Sequence, residues 1–287
     1  MITDQETNHV YFSSRITEDK RYVPFWNRLK PMLEEHAIPF SFIEGTRDIW
    51  CRDYMPLQKE KDRFVQFIYF PDYLLFPEQI RSLTHTDEIT TKYPGKVKKS
   101  KLILDGGNVI RWKHKAIVTE KVFTDNKNRE KKTVENWLKQ DLEVDELFFI
   151  PKMPFEYTGH ADGLVRFIDE GTLLVSDYSE QSDTWKKNFE RALDKTGLKI
   201  KILPSFIDKN KNKDGEYTAR GCYINYAQIG NKILFPKFGD AKKDQEAVEA
   251  IEKIYPSPDF KVIQIEANEI ANEGGVLNCI TWNILKS

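Results

Sequence analysis

Residues 272–283 read Asn-Glu-Gly-Gly-Val-Leu-Asn-Cys-Ile-Thr-Trp-Asn, a glycine pair followed by a strand-like Cys-Ile-Thr-Trp. Cys279 in this run is a candidate thiol nucleophile. Far upstream, Gly159-His160-Ala161-Asp162 offers it an acid/base partner, and folds routinely join a nucleophile and a base that the chain keeps apart. Alone, a cysteine beside a β-rich segment is as a rule a small buried hydrophobe. Its company changes that reading. Two more segments set carboxylates beside unusual neighbours, Trp50-Cys51-Arg52-Asp53-Tyr54-Met55-Pro56 and Leu104-Asp105-Gly106-Gly107-Asn108-Val109. The landmarks are spaced almost periodically: Asp53 to Asp105 is 52 residues, Asp105 to His160 is 55, His160 to Asn225 is 65 and Asn225 to Cys279 is 54. Such intervals point to five structural repeats, each lending one loop to a shared centre.

The stretches between the landmarks alternate helix and strand. Phe25, Leu29 and Leu33 recur on one helical face, as do Val134, Trp137 and Leu138. Asp183 is placed to cap a helix carrying Trp185, Phe189, Ala192 and Leu193, which Gly197 can end. Asp240 caps the next, with Ala247, Val248, Ile251, Ile254 and Tyr255 along its stripe. Only the interval between Asp53 and Asp105 lacks a convincing helix. After the landmarks come short β-type runs around turns: residues 164–168 with 172–175, 109–112 with 116–118, and 223–227 with 232–235. No Pro/Gly/Ser-rich linker divides the chain, which reads as one domain over residues 1–287.

In this order, Trp-x-Arg-Asp, an acid followed by Gly-Gly-Asn, Gly-His-x-Asp and Gly-Gly-x-x-x-Cys-Ile-Thr resemble the agmatine deiminase and bacterial-type peptidylarginine deiminase family, part of the guanidine-modifying superfamily. The resemblance runs from about residue 10 to the C-terminus. It implies a pentein-like α/β propeller with five blades and pseudo-fivefold symmetry around a central site. The activity implied is a hydrolase acting on C–N bonds in linear amidines, with no cofactor and no metal. Cys279 would attack the guanidinium carbon, His160 would serve as acid and base, Asp53 and Asp162 would grip the guanidinium nitrogens, and Asp105 would support the histidine. Two carboxylates have a physical task here, because gripping two nitrogens fixes the plane of a delocalised cation and turns its carbon toward the thiol. An imidazole titrating near neutrality suits the proton transfers. Alternation in an extended segment would point His160 and Asp162 to one side.

Trp50 and Tyr157 resemble the aromatics that flank the guanidinium in bacterial peptidylarginine deiminases, where stacking on a cation is favourable. Asn225 is expected at the substrate's far end, and Arg220 is the candidate reader of an α-carboxylate. The sequence departs from the family pattern at Asp105, where relatives often carry the longer Glu, and at Met55, Asn278 and Trp282, which replace a common Gly, His and Gln. The chain is also shorter than typical members. Agmatine is the first expected substrate; the alternatives are a peptidyl-arginine and, without catalysis, an arginine-binding module. A generic cysteine amidase fits less well, because carboxylates at the carbonyl would oppose the developing oxyanion.

Composition narrows the partners. Lys plus Arg total 44 against 45 Asp plus Glu, so the charge of −1 gives no general attraction to nucleic acid or acidic membrane. The lysine runs at residues 95–101, 126–132 and 209–213 lack aromatic interleaving and read as solvated loops and turns. Mean hydropathy is −0.58 and no apolar run approaches the about 18 residues of a membrane helix. The start lacks a basic and apolar leader pattern, and three cysteines, an odd number, argue against a disulfide framework. Cys51 and Cys222 are expected to be structural. The expected partner is a small cationic guanidino substrate, with no nucleic acid and no membrane, in a cytoplasmic protein; the sequence leaves monomer against homo-oligomer open.

Overall fold

The computed structural model describes residues 1–77, 79–90, 95–154, 156–208, 210–212, 215 and 217–286. Among them the chain forms five three-stranded sheets built to one plan. Blade 1 is Trp282–Ile284, His9–Ser13 and Phe40–Ile43; blade 2 is Leu57–Glu60, Arg63–Ile68 and Lys96–Ile103. Blade 3 is Ile110–Trp112, Lys115–Thr119 and Glu146–Ile150; blade 4 is Val165–Phe167, Thr172–Ser176 and Lys199–Leu203; blade 5 is Ala227–Ile229, Lys232–Lys237 and Lys261–Glu266. In every blade the first two strands pair antiparallel and the third pairs parallel with the second. A parallel partner needs a crossover, which is why a helical segment stands between the second and third strands of each blade.

These crossovers are the helices Val23–Glu35, Lys131–Leu142, Asp183–Asp194 and Ala241–Ile254. Their apolar stripes are the expected ones: Phe25, Leu29, Leu33, Val134, Leu138, Trp185, Phe189, Ala247 and Ile251 are all buried. Among the described residues the blade 2 crossover holds only 3-10 turns and the five-residue helix Thr86–Thr90, matching the weak helical pattern there. The second strands of blades 3 to 5 carry continuous apolar runs, such as Leu173-Leu174-Val175, because they are covered on both faces.

Three local expectations are corrected. The helix at Asp183 is capped by Ser182, whose Oγ accepts from Trp185 N, while Asp183 is its first residue; Asp240 does cap the following helix. Residues 96–101 form an edge strand, with Lys96, Lys98, Lys99 and Lys101 exposed, the usual protection of an unpaired edge. Of the third lysine run, Lys209 and Lys213 lie outside the described residues. The run 223–227 is a turn up to its last residue, and the strand begins at Ala227.

The ring is closed by chain ends: Tyr11 pairs with Trp282 and His9 with Ile284. Each connection from one blade to the next runs into the centre, so Asp53, Asp105, His160, Asn225 and Cys279 fall in five successive inter-blade loops. No described helix is long and apolar enough to cross a membrane. Phe25 is fully buried against blades 1 and 5, and Phe25→Ala is expected to destabilise the protein by ~3–5 kcal/mol in urea unfolding.

Candidate active site

Cys279 lies in a turn leading to the closing strand, and Asp53 lies in the one-turn helix Cys51–Tyr54. The two loops are tied together, because Arg52 N donates to Cys279 O at 3.1 Å and Arg52 Nε to Asn278 O at 3.3 Å. Gly107 N donates to Asp53 Oδ1 at 3.0 Å, and Asp162 N donates to Gly107 O at 3.1 Å. The second glycine of the Asp-Gly-Gly-Asn run is thereby a hub. A Cβ there would come within 2.6 Å of Asp53 Oδ1 and 2.7 Å of His160 Nδ1, so only glycine leaves the two side chains where they are. Gly106 is equally confined, with the Arg52 carbonyl 2.0 Å from a built Cβ.

His160 presents two different ring nitrogens. Nε2 hydrogen-bonds Asp105 Oδ2 at 3.0 Å, and Nδ1 stands 3.6 Å from Asp53 Oδ1. The shorter aspartate at position 105 therefore reaches the imidazole directly. Asp162 Oδ2 accepts from Asn278 Nδ2 at 2.8 Å and lies 3.7 Å from Cys279 Sγ. His160 and Asp162 do share a side, but in a turn after Gly159 (φ +68°) and not through strand alternation. All five of Asp53, Asp105, His160, Asp162 and Cys279 are buried, and all but Asp105 line a cavity of about 550 Å³.

Burial raises the Asp53 carboxyl to about 7, with the charges of Asp105 and Asp162 acting in the same sense and the imidazolium against them. For His160 burial works toward the neutral form, but Asp53, the hydrogen-bonded Asp105 and Asp162 outweigh it and lift the imidazole to about 10. Burial pushes the Cys279 thiol well above its usual range, and the Asp162 and Asp53 carboxylates push it further. Without a cation between them, these groups hold the sulfur protonated.

Trp50 and Tyr157 line the cavity, and both sit on the glycine pair: a Cβ on Gly275 would strike the Trp50 ring and one on Gly274 the Tyr157 hydroxyl. Two expectations change. Asn225 is not at a remote end of the pocket. Its Oδ1 accepts from Asn278 N at 3.1 Å and Cys279 N at 3.4 Å and lies 3.4 Å from Cys279 Sγ, so it positions the cysteine loop. Arg220 lines the cavity, but its guanidinium is bound to Asp208 Oδ2 at 3.3 Å and to Phe238 O at 2.8 Å and is not a free carboxylate reader. Sequence reading missed Tyr73, whose hydroxyl donates to the Asp105 oxygen that also meets His160, at 3.1 Å. Its ring sits edge-on to both Tyr157 and His160. Nothing local marks it, since it comes from the irregular blade 2 crossover. Cys51 is fully buried, with its thiol pushed up by burial; Cys222 lines the cavity wall, and burial raises it to about 12.

The model of the Porphyromonas-type peptidyl-arginine deiminases matches residues 5–284. The chain belongs to this family. Among curated relatives it is 28% identical over 213 residues to a putative agmatine deiminase of Latilactobacillus sakei, covering 64% of this chain and 58% of the relative. With a putative agmatine deiminase of Mycoplasma mycoides it shares 26% over 283 residues, 82% of this chain and 74% of the relative. The match thus spans under two thirds of the first relative's length. An agmatine deiminase structure from C. jejuni superposes with a TM-score of 0.79 at 19% identity, over 100% of this chain and 96% of that one. The architecture is the five-bladed α/β propeller of these proteins.

Two substitutions probe the geometry. Asp105→Asn removes the carboxylate bonded to Nε2, so His160 should titrate at lower pH by imidazole NMR. Gly107→Ala should displace Asp53 or His160 and shift the imidazole titration in NMR while the fold persists, checked by circular dichroism.

Proposed function

We propose that this protein hydrolyses the guanidino group of a small cationic substrate, agmatine first, to N-carbamoylputrescine and ammonia. One observation carries the reading: a buried thiol faces paired carboxylates, with a histidine beside them, inside a cavity. A guanidinium held by Asp53 and Asp162 supplies the cation these carboxylates need. It also cancels the repulsion that keeps Cys279 protonated, so binding itself favours the thiolate.

The thiolate attacks the guanidinium carbon to form a C–S bond. His160 gives a proton to one nitrogen, the C–N bond breaks and ammonia leaves an S-alkylthiouronium. His160 then takes a proton from water, whose oxygen attacks the same carbon. The C–OH gives its remaining proton to solvent as the C–S bond breaks, returning the electron pair to sulfur and leaving a ureido product. Nε2 is occupied by Asp105, so Nδ1, beside Asp53, is the nitrogen placed for these transfers.

The cavity's charge supports agmatine over free arginine. Asp53, Glu156, Asp162, Asp177, Glu180 and Asp208 line it, against the His160 imidazolium, which Asp53 and Asp105 hold, and Arg220, which Asp208 holds. A terminal ammonium suits such walls and an α-carboxylate does not. Peptidyl-arginine is the second reading, favoured by the breadth of the cavity and by Tyr157, 45% exposed at its rim. The polyamine link and a cytoplasmic location belong to the agmatine reading.

Cys279→Ser should lower ureido production by more than about 10³-fold, whereas Cys51→Ser and Cys222→Ser should not. Asp53→Asn and Asp162→Asn should each impair turnover severely, because an amide offers donors where the substrate needs acceptors. The pH profile of kcat/KM should be bell-shaped. Activity is lost as pH falls through about 7, where Asp53 takes a proton, and as it rises through about 10, where His160 loses one. Colorimetric ureido assays with agmatine, arginine and a C-terminal-arginine peptide decide the substrate. A greater than tenfold preference for either arginine, erased by Arg220→Ala, would overturn the agmatine reading, and no ureido product from any guanidine would overturn catalysis.

A further inference from the structure

The innermost strands of blades 1, 3, 4 and 5 each carry one polar residue at their middle position: Asn283, Arg111, Arg166 and Gln228. Asn283, Arg111 and Arg166 converge on Asp4, from the N-terminal turn. Asp4 Oδ2 accepts from Arg166 Nη2 at 2.6 Å, Oδ1 accepts from Asn283 Nδ2 at 3.0 Å, and Arg111 Nη2 stands 3.7 Å from Oδ1. Arg52, from the loop that carries Asp53, joins them by donating to Asn283 Oδ1. Beside this group lies a cavity of about 20 Å³, lined by Arg52, Arg111, Arg166 and Asp4. Asp162 lines both cavities, and Asn278, which donates to Asp162, also lines the smaller one.

The charges do not balance. Three guanidiniums meet one carboxylate, and even with Asp162 counted the cations lead three to two. Among the described residues, Arg166 Nε and the Trp112 indole N–H, both buried and both on residues of this wall, have no hydrogen-bond partner. A surplus of buried positive charge with idle N–H donors is costly unless something compensates it. The volume admits one water-sized guest. A water could accept from an N–H but would leave the charge uncompensated; a monoatomic anion answers both, and a phosphate or carboxylate ligand is too large.

We propose that this axial cavity binds a single halide, chloride under ordinary salt conditions, held by Arg52, Arg111 and Arg166 beneath the candidate active site. The proposal is independent of the deimination reading, since none of its lines depends on turnover. Crystals grown in bromide test it by anomalous scattering, alongside thermal melts in sodium chloride, bromide and gluconate at constant ionic strength. One bromide peak in the cavity is expected, with a rise in Tm that grows with the logarithm of halide concentration and reaches about 2–4 °C at halide tenfold above its Kd. Arg111→Met should abolish the rise. If that variant does not fold, Trp112→Phe, which keeps an aromatic ring but loses the indole N–H with its five-membered ring, should weaken halide affinity severalfold. Density for water without an anomalous peak, or melts that coincide in halide and gluconate, overturns the proposal; so does a peak with no halide-dependent rise, which marks an adventitious ion only.

Discussion

Closure of the ring is the constraint on which everything else in this molecule depends. Trp282–Ile284 must pair with His9–Ser13 for blade 1 to exist, and the turn that holds Cys279 leads directly into that strand. The nucleophile candidate is thus placed by a pairing that joins the two ends of nearly the whole chain. Two contacts lock the result: Arg52 N on Cys279 O, and the Trp282 indole N–H on Pro56 O at 2.8 Å. Trp282, a departure from the family pattern, therefore acts as a packing residue at the seam.

Around the closed centre the chemistry is governed by one concentration of negative charge. Asp53, Asp105 and Asp162 share a small buried volume with one imidazole. They cannot all be ionised without cations nearby, which lifts Asp53 and His160 together and suppresses the thiol. A bound guanidinium relieves each of these conditions at once. Beneath the site the sign reverses, with three arginines around Asp4. The axis is thus polar from end to end, acidic where a cation fits and basic below, with Asp162 in both walls.

Much of this was legible in the chain. Period and helix stripes pointed to five strand-and-helix units, because burial patterns and tight glycine turns are local properties, and the family resemblance of the four motifs implied the propeller and singled out Asp53, Asp105, His160 and Cys279. Less legible were residues whose meaning lies in a partner that no local pattern marks. Asn225 looked like a contact for the substrate's tail, yet its amide oxygen caps the backbone of the cysteine turn. Arg220 looked like a free cation until Asp208, twelve residues away, was seen to hold it. Tyr73 left no trace at all, sitting in a crossover without periodicity.

The sequence by itself determined which residue types are available, where the chain turns and which faces are apolar, and through these the blade plan and the carboxylate, histidine and thiol set. Only the tertiary structure decided which nitrogen of His160 faces Asp53, how the thiol stands against Asp162, and that Asp105 touches the imidazole despite its shorter side chain. The reason is physical: propensity and hydrophobic period act over a few residues, whereas protonation and reach depend on distances of about 3–4 Å between groups that the chain separates by fifty residues or more.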